Sequence, residues 1–393
     1  MKKTTINIGL AVLILSCSVS ACSLLMPTGS YVAPRQDTNF VHLYTSRFPA
    51  ETEWDLNKDL QLRQAIFDHS SPVDQPLVYL FPDNVSEGQF LSMHPDSVQV
   101  IQPNAFWNFN TQSVFSDNGS GFLASGWYDS DAEGPLPSEN GIYRFLETGT
   151  EPANLLVSEA ALYASSSIGG KFIGLTWHPD GPAVPSGGYQ ALWAAGETIA
   201  IEYSSTGTFP SVNPVGNFPD AISNIDTLFT RLNSTNWPNT SFWNTSTTSL
   251  DNFGYAPSSE LYWLQASRFS PSTGENETWA YIFSPAGGGI SFGIDTERVA
   301  GRAGPFVLIQ GKPYGETTAY NTHYFAAVSA AGVIKEFEVY GQSAAYLGEQ
   351  ETSSGIRLLF VSISQLYEEN FSRKSAYYFS VYALPLEVLA AGE

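Results

Sequence analysis

The chain has 393 residues and a formal net charge of −21. Only 14% of its residues are charged, against about 25% in an ordinary soluble domain, while aromatics also reach 14%, which excludes a disordered chain with few aromatics and many charges. So acidic a surface, with no basic patch to offset it, repels nucleic acid and anionic lipid, and no nucleic-acid partner is expected.

The N-terminus opens with Met1–Lys2–Lys3, a short basic start. Ile6 to Leu15 follows as a mostly apolar run. It is far shorter than the roughly 20 residues that span a bilayer. Val19–Ser20–Ala21 then puts small residues before Cys22. These three parts describe a secretory signal. The string "VSAC" (19–22) resembles the bacterial lipobox. That resemblance implies cleavage before Cys22, diacylglycerol on its thiol and acylation of the new amino group. Cys17 follows "ILS", with leucine where a small residue is preferred, and fits worse. Ser23, in place of the aspartate that retains such proteins at the inner membrane, implies the outer membrane and leaves its face open. Two or more acyl chains, at about 0.8 kcal/mol per buried methylene, anchor stably. With Cys22 the last cysteine, the mature chain has no intramolecular disulfide and no thiolate metal cluster.

The chain therefore divides into a signal peptide (1–21), a lipidated tether (22–39) and a single β-rich domain (40–393). "SLLMPTGSYVAPRQDTN" (23–39) carries prolines, glycine and polar residues without a period. Fully extended at ~3.3 Å per residue, it reaches about 55 Å.

"FVHLY" (40–44) reads as the first strand. From there, strand, turn and strand alternate. "GFLASGWY" (121–128) precedes "GIYRFL" (141–146), and "KFIGLTW" (171–177) precedes "YQALWAA" (189–195) and "TIAIEY" (198–203). "ELYWLQASRF" (260–269) precedes "TWAYIF" (278–283), "HYFAAVS" (323–329) precedes "VIKEFEVY" (333–340), and "IRLLFVSI" (356–363) precedes "SAYYFSVYAL" (375–384). These runs are rich in aromatic and β-branched residues, and Gly, Pro, Asp and Asn break them. In 333–340, Lys335, Phe337 and Val339 share one face, while Ile334, Glu336, Glu338 and Tyr340 share the other. Many other runs are apolar on both faces, as strands of interior sheets are.

Two segments depart from this pattern. In "PDAISNIDTLFTRLN" (219–233) the apolar residues Ile222, Ile225, Leu228, Phe229 and Leu232 recur at helical spacing behind Asp220, which reads as a small helical insertion. "ETEWDLNKDLQLRQAIF" (51–67) suits a hairpin or a helix.

The turns centre near residues 95, 130, 179, 271, 330 and 367. Their spacings run from roughly 35 to 60 around the period of blade-type repeats, about 40–50, apart from one gap of about 92 that would hold an irregular blade or an insertion. Residues 160–203 divide into four short strands, the content of one propeller blade. "FIGLTWHPDG" (172–181) resembles the W-S-P-D-G turn of TolB-like propeller repeats. "MHPDS" (93–97) is a degraded copy and "FSPSTG" (269–274) a fainter one, while the Trp–Asp pair of WD40 repeats is absent. The resemblance implies an all-β, propeller-like fold of six or seven irregular blades. Two β-sandwich domains are the alternative. On this reading His94 and His178 mark hairpin turns on different blades rather than one catalytic pair.

Chemical motifs are scarce. No G-x-S-x-G, H-E-x-x-H, C-x-x-C or P-loop string occurs. "AGGGISFG" (286–293) lacks the lysine and helix of a phosphate cradle and reads as a turn. "DSDAEG" (129–134) alternates acids as calcium loops do, but Asn140 stands where an EF-hand needs a bidentate acid. "DLNKD" (55–59) lacks the glycine. The five histidines have no local ligand spacing, so neither metal nor cofactor is expected.

One stretch points to ligand contact: "STNWPNTSFWNTSTTSLDNF" (234–253), which mixes Trp237, Phe242 and Trp243 with Asn, Ser and Thr. Flat aromatic faces beside amides suit sugar rings, which stack on one and hydrogen-bond to the other. The expectation is an outer-membrane-anchored lipoprotein that binds an envelope glycan, peptide or protein without catalysis. A carbohydrate hydrolase using paired carboxylates is the alternative, which a sequence rich in acids neither displays nor excludes.

Overall fold

The computed structural model of the chain describes residues 33–49, 62–82, 90–101, 107–116, 121–128, 141–145, 154–158, 171–178, 188–195, 198–204, 248–256, 258–259, 261–270, 274–284, 289–294, 298–311, 322–367 and 374–391. Among them the protein is all-β, with six small antiparallel sheets and one short helix, α1 (Glu387–Ala390).

The first strand, β1 (Val41–Pro49), belongs to the last sheet. Sheet I is a meander of β2 (Leu62–Phe67), β3 (Val78–Pro82), β4 (Phe90–His94) and β5 (Ser97–Ile101). Sheet II repeats the plan with β6 (Trp107–Ser116), β7 (Phe122–Tyr128), β8 (Gly141–Phe145) and β9 (Asn154–Ser158). Sheet III has β10 (Lys171–His178), β11 (Gly188–Ala195) and β12 (Thr198–Ser204). Sheet IV holds β13 (Thr248–Ala256), β14 (Leu261–Ser270), β15 (Glu275–Phe283) and β16 (Gly289–Ile294). Sheet V holds β17 (Val299–Ala303), β18 (Phe306–Gln310), β19 (Thr322–Ser329) and β20 (Gly332–Tyr340). Sheet VI is built from β21 (Ser343–Thr352), β22 (Gly355–Tyr367) and β23 (Lys374–Pro385), with β1 added outside β23.

The first strand of each sheet touches the first strand of the next: β2 with β6, β6 with β10, β10 with β13, β13 with β17 and β17 with β21. Contact between β21 and β2 closes the cycle. Where hydrogen bonds and close contacts fix direction, neighbouring inner strands run the same way. Leu62 N–H, at the start of β2, donates to Ser343 Oγ at the start of β21 (3.1 Å). Six residues into each, Gly348 lies against the ring of Phe67. Gly121 and Asp68, which follow β6 and β2, are likewise hydrogen-bonded (2.7 Å). Because strands in a meander alternate direction, first-to-second and third-to-fourth connections gather at one end, the far end. Second-to-third connections and those between sheets gather at the other, the start end.

Burial explains the apolar runs. Every residue of β3 (VYLFP) and β18 (FVLIQ) is buried, because sheets cover both of their faces. Aromatic rings fill the seams between sheets. Between sheets I and II, Phe122 meets Phe81 and Phe90, each at 5.0 Å between ring centroids, and stacks on Phe145 at 5.2 Å. Between sheets V and VI, Phe360 meets Phe325 at 5.1 Å and Phe337 at 5.6 Å. Such edge-to-face and stacked pairs add roughly 0.5–1.5 kcal/mol each beyond the area they bury.

Glutamine amides recur at the seams. Gln64 on β2 donates to Val114 O (2.5 Å) and accepts from Val114 N–H (3.4 Å) on β6. Gln265 on β14 accepts from Val299 N–H on β17 (2.8 Å), and Gln310 on β18 donates to Ala344 O on β21 (3.1 Å). An amide is both donor and acceptor, so one neutral side chain can satisfy the backbone groups an inner strand leaves unpaired. At the far end of seam V–VI, Arg302 pairs with Glu349 (2.6 Å), which also accepts from Gly304 N–H.

Gly304 opens the β17–β18 turn at φ +59°, and a Cβ there would overlap the side chain of Leu386. Gly304→Ala combines left-handed strain, about 1–2 kcal/mol, with overpacking, about 1–3 kcal/mol. Urea denaturation is expected to show a loss of about 2–3 kcal/mol.

The two "HPD" strings lie at hairpin turns of different sheets, as expected from the sequence, but at different positions within them. His94 and Ser97 are paired across the tight Pro95–Asp96 turn that joins β4 to β5, the third and fourth strands of sheet I. His178 ends β10 and pairs with Gly188, joining the first and second strands of sheet III. These places are non-equivalent, so the resemblance of the strings is not a repeat. Of the four strands read from 160–203, the last three are the strands of sheet III, with Lys171–His178 the first among the described residues, and "ALYASS" (161–166) lies outside them. The helical expectation at 219–233 lies outside them too; in 51–67 the described part, Leu62–Phe67, is strand.

Candidate functional site

At the start end, Leu62, Trp107, Lys171, Thr248, Val299 and Ser343 open the inner strands. Trp237, Phe242 and Trp243 lie outside the described residues, as does Cys22. Along the sequence, Trp243 and Phe242 stand five and six residues before Thr248, the first residue of β13, and Trp237 stands eleven before it.

Among the inner strands the acids are Asp251, Glu349 and Glu351. Glu349 is engaged with Arg302 and Gly304, away from the start end. A carboxylate pair at the start end would therefore draw on the connections. The acid-rich runs 129–134 and 55–59 belong to two of these and lie outside the described residues.

A separate cleft of about 400 Å³ opens beside β19 and β20. Asp37, Tyr324, Glu336, Phe337, Glu338 and Tyr340 line it, and no basic side chain does among the described residues. The strand register builds it: Glu338 pairs with Tyr324 and Glu336 with Ala326, so alternate residues of an edge strand face the same way. This is the acidic face read from the alternation of 333–340. Tyr340 Oη donates to Glu338 Oε2 at 2.6 Å. That bond, and then slight burial and nearby negative charge, raise the Tyr340 pKa. The groove offers carboxylate acceptors and phenol groups to solvent.

Histidines stand apart. His42 bonds Thr45 Oγ1 (2.8 Å), and His69 packs on Phe67 (4.3 Å between centroids). No cluster of three metal-ligating side chains forms among the described residues. His323 opens into sheet V with Nε2 buried and without a hydrogen-bond partner. Burial lowers its pKa, partly offset by bonds to the Gln342 and Gly341 backbone. A histidine pKa lowered by folding means that the unfolded chain binds the proton more readily. Stability is therefore full above the ordinary value near 6.5 and falls as pH drops through it. Between pH 8 and pH 5 the melting temperature of the wild-type protein is expected to fall relative to that of His323→Gln, and a difference that does not change with pH would show that His323 does not carry this loss.

No family model matches the chain, and no curated protein does. Solved structures give distant likenesses. A subtype N10 neuraminidase-like protein of A/little yellow-shouldered bat/Guatemala/060/2010 is 8% identical, with 88% of this chain and 99% of that one covered at a TM-score of 0.34. The catalytic domain of Coprinopsis cinerea GH62 alpha-L-arabinofuranosidase is 8% identical, with 86% and 96% covered at 0.32. A subtype N11 neuraminidase-like protein of A/flat-faced bat/Peru/033/2010 (H18N11) is 9% identical, with 91% and 94% covered at 0.35. Likenesses of this size assign neither an activity nor a ligand to the chain.

Proposed function

We propose that the protein is a lipoprotein of the outer membrane, anchored through Cys22, whose six-bladed propeller binds an envelope glycan at the start end without catalysis. The closed cycle of inner-strand contacts carries the propeller reading. Two sandwiches would pack sheets as facing pairs rather than as a ring. β1 adds an N-terminal strand to a sheet built from the C-terminus, so the ring is fastened by its own two ends. A rigid ring presents its connections at a fixed depression, where ligand sites of such folds need convergent side chains.

Trp237, Phe242 and Trp243 supply the stacking faces, and the surrounding Asn, Ser and Thr supply hydrogen bonds. The closeness in sequence of Trp243 and Phe242 to the inner strand β13 supports their placement near the depression. The test is binding of an envelope glycan by calorimetry. Trp237→Ala with Trp243→Ala is expected to abolish it while leaving the melting temperature within a few degrees. Unchanged affinity would defeat the reading. Turnover of the same glycan, lost on replacing a pair of start-end acids, would establish the hydrolase instead. Intact mass of the mature chain checks the lipid on Cys22.

A further inference from the structure

The segment just before β1 lies across the seam between sheets V and VI. Tyr382 Oη donates to Pro34 O (2.8 Å). The Gln36 side chain donates to Tyr340 O (2.8 Å) and accepts from Tyr340 N–H (2.7 Å), pairing with the open edge of β20 as a neighbouring strand would. Tyr340 O also accepts from Ser362 Oγ of sheet VI (2.7 Å), so strap, edge strand and next sheet meet at one carbonyl. Phe40 closes the segment, with its ring 5.6 Å from Phe360 and 6.0 Å from Phe337.

Between these holds the segment is exposed. Gln36 is 9% exposed, but Arg35, Asp37, Thr38 and Asn39 face solvent. β1 is held differently, by a ladder to β23 from Val41↔Ala383 to Pro49↔Ala376 that is interrupted once, between His42 and Tyr44. A few side-chain contacts open at lower free energy than a strand paired along its length.

We infer that Pro34–Phe40 is a clasp that opens on its own, while β1 stays paired, and so sets the reach of the membrane tether. With the clasp closed, residues 23–33 separate it from Cys22 and can span at most about 36 Å; with it open, residues 23–39 can span at most about 55 Å. Opening also withdraws Asp37 from the acidic cleft and bares the Tyr340 backbone. The change in reach rests on the lipid anchor at Cys22; the clasp does not.

Trypsin distinguishes the two segments, because Arg35 lies in the clasp and Arg47 in β1. The mature full-length protein in detergent is expected to be cut slowly after Arg35. Gln36→Ala should be cut there at least tenfold faster, and Tyr382→Phe by a smaller factor, with Arg47 uncut in both. Equal cutting after Arg35 in wild type and Gln36→Ala would overturn the clasp. Cutting at Arg47 in step with Arg35 would overturn its independence from β1. On a supported bilayer, neutron reflectivity should place the Gln36→Ala domain farther out, by up to about 20 Å; an unchanged distance would sink the reach role. Protein that washes off the bilayer would count against the anchor at Cys22, and the trypsin result would still judge the clasp.

Discussion

Asp68→Ala is expected to destabilise the domain by about 3–5 kcal/mol. Asp68 is 3% exposed and sits at the far end of β2, where the chain leaves the inner ring. One carboxylate oxygen accepts from Ser70 N–H (2.8 Å) and Ser70 Oγ (2.6 Å). The other accepts from Gly121 N–H (2.7 Å) and Tyr79 Oη (3.1 Å). The same side chain therefore folds its own turn and ties sheet I to sheet II. Its loss removes the acceptor from a buried backbone N–H of the neighbouring sheet, which costs about 1–3 kcal/mol for that group alone. The turn bonds add to this. Asp68→Asn keeps the shape but offers one acceptor oxygen, so about half the loss is expected. Urea denaturation of the two variants checks both values. An alanine variant within 1 kcal/mol of wild type would show that the seam does not depend on this carboxylate.

Phe360→Ala is expected to cost about 3–5 kcal/mol. Its ring is fully buried at the centre of the aromatic cluster between sheets V and VI. Phe325, Phe337, Phe40 and Tyr346 surround it at centroid separations of 5.1–5.6 Å. Truncation removes transfer energy and leaves a cavity between two sheets whose backbones are held apart by their own ladders, so collapse is limited. Phe360→Leu refills most of the volume and should cost much less than the alanine variant, about 1.5 kcal/mol. Because Phe40 rests on this ring, the alanine variant should also loosen the clasp, which trypsin cutting after Arg35 reads directly.

The strands were largely legible. "KFIGLTW", "TIAIEY", "VIKEFEVY" and "IRLLFVSI" all fall in strands, since β-branched and aromatic runs between turn residues fit a pleated, half-buried surface. The face assignment was legible over 335–340, because β20 is an edge strand with one packed side. It failed at Ile334, where a bulge breaks the alternation and the side chain packs on the same core cluster as Phe337 and Val339. The seams were not. Gln36 and Tyr340 are 304 residues apart, and nothing local marks that pair. The acidic cleft could have been found in part from Glu336 and Glu338, but Asp37 joins it only through the fold.

By itself the sequence determined that the chain is a strand-and-turn protein, that its N-terminus resembles a lipobox signal, and where most strands lie. Those are consequences of side-chain shape, local periodicity and short motifs. Tertiary structure decided that the sheets close into a cycle, that β1 joins the C-terminal sheet, and that "MHPDS" and "WHPDG" occupy different turns of their sheets. Each depends on which buried backbone groups and aromatic faces meet across long stretches of chain. Those meetings are set by burying apolar surface and satisfying hydrogen bonds in the whole molecule, and a short string of residues carries no record of its distant partner.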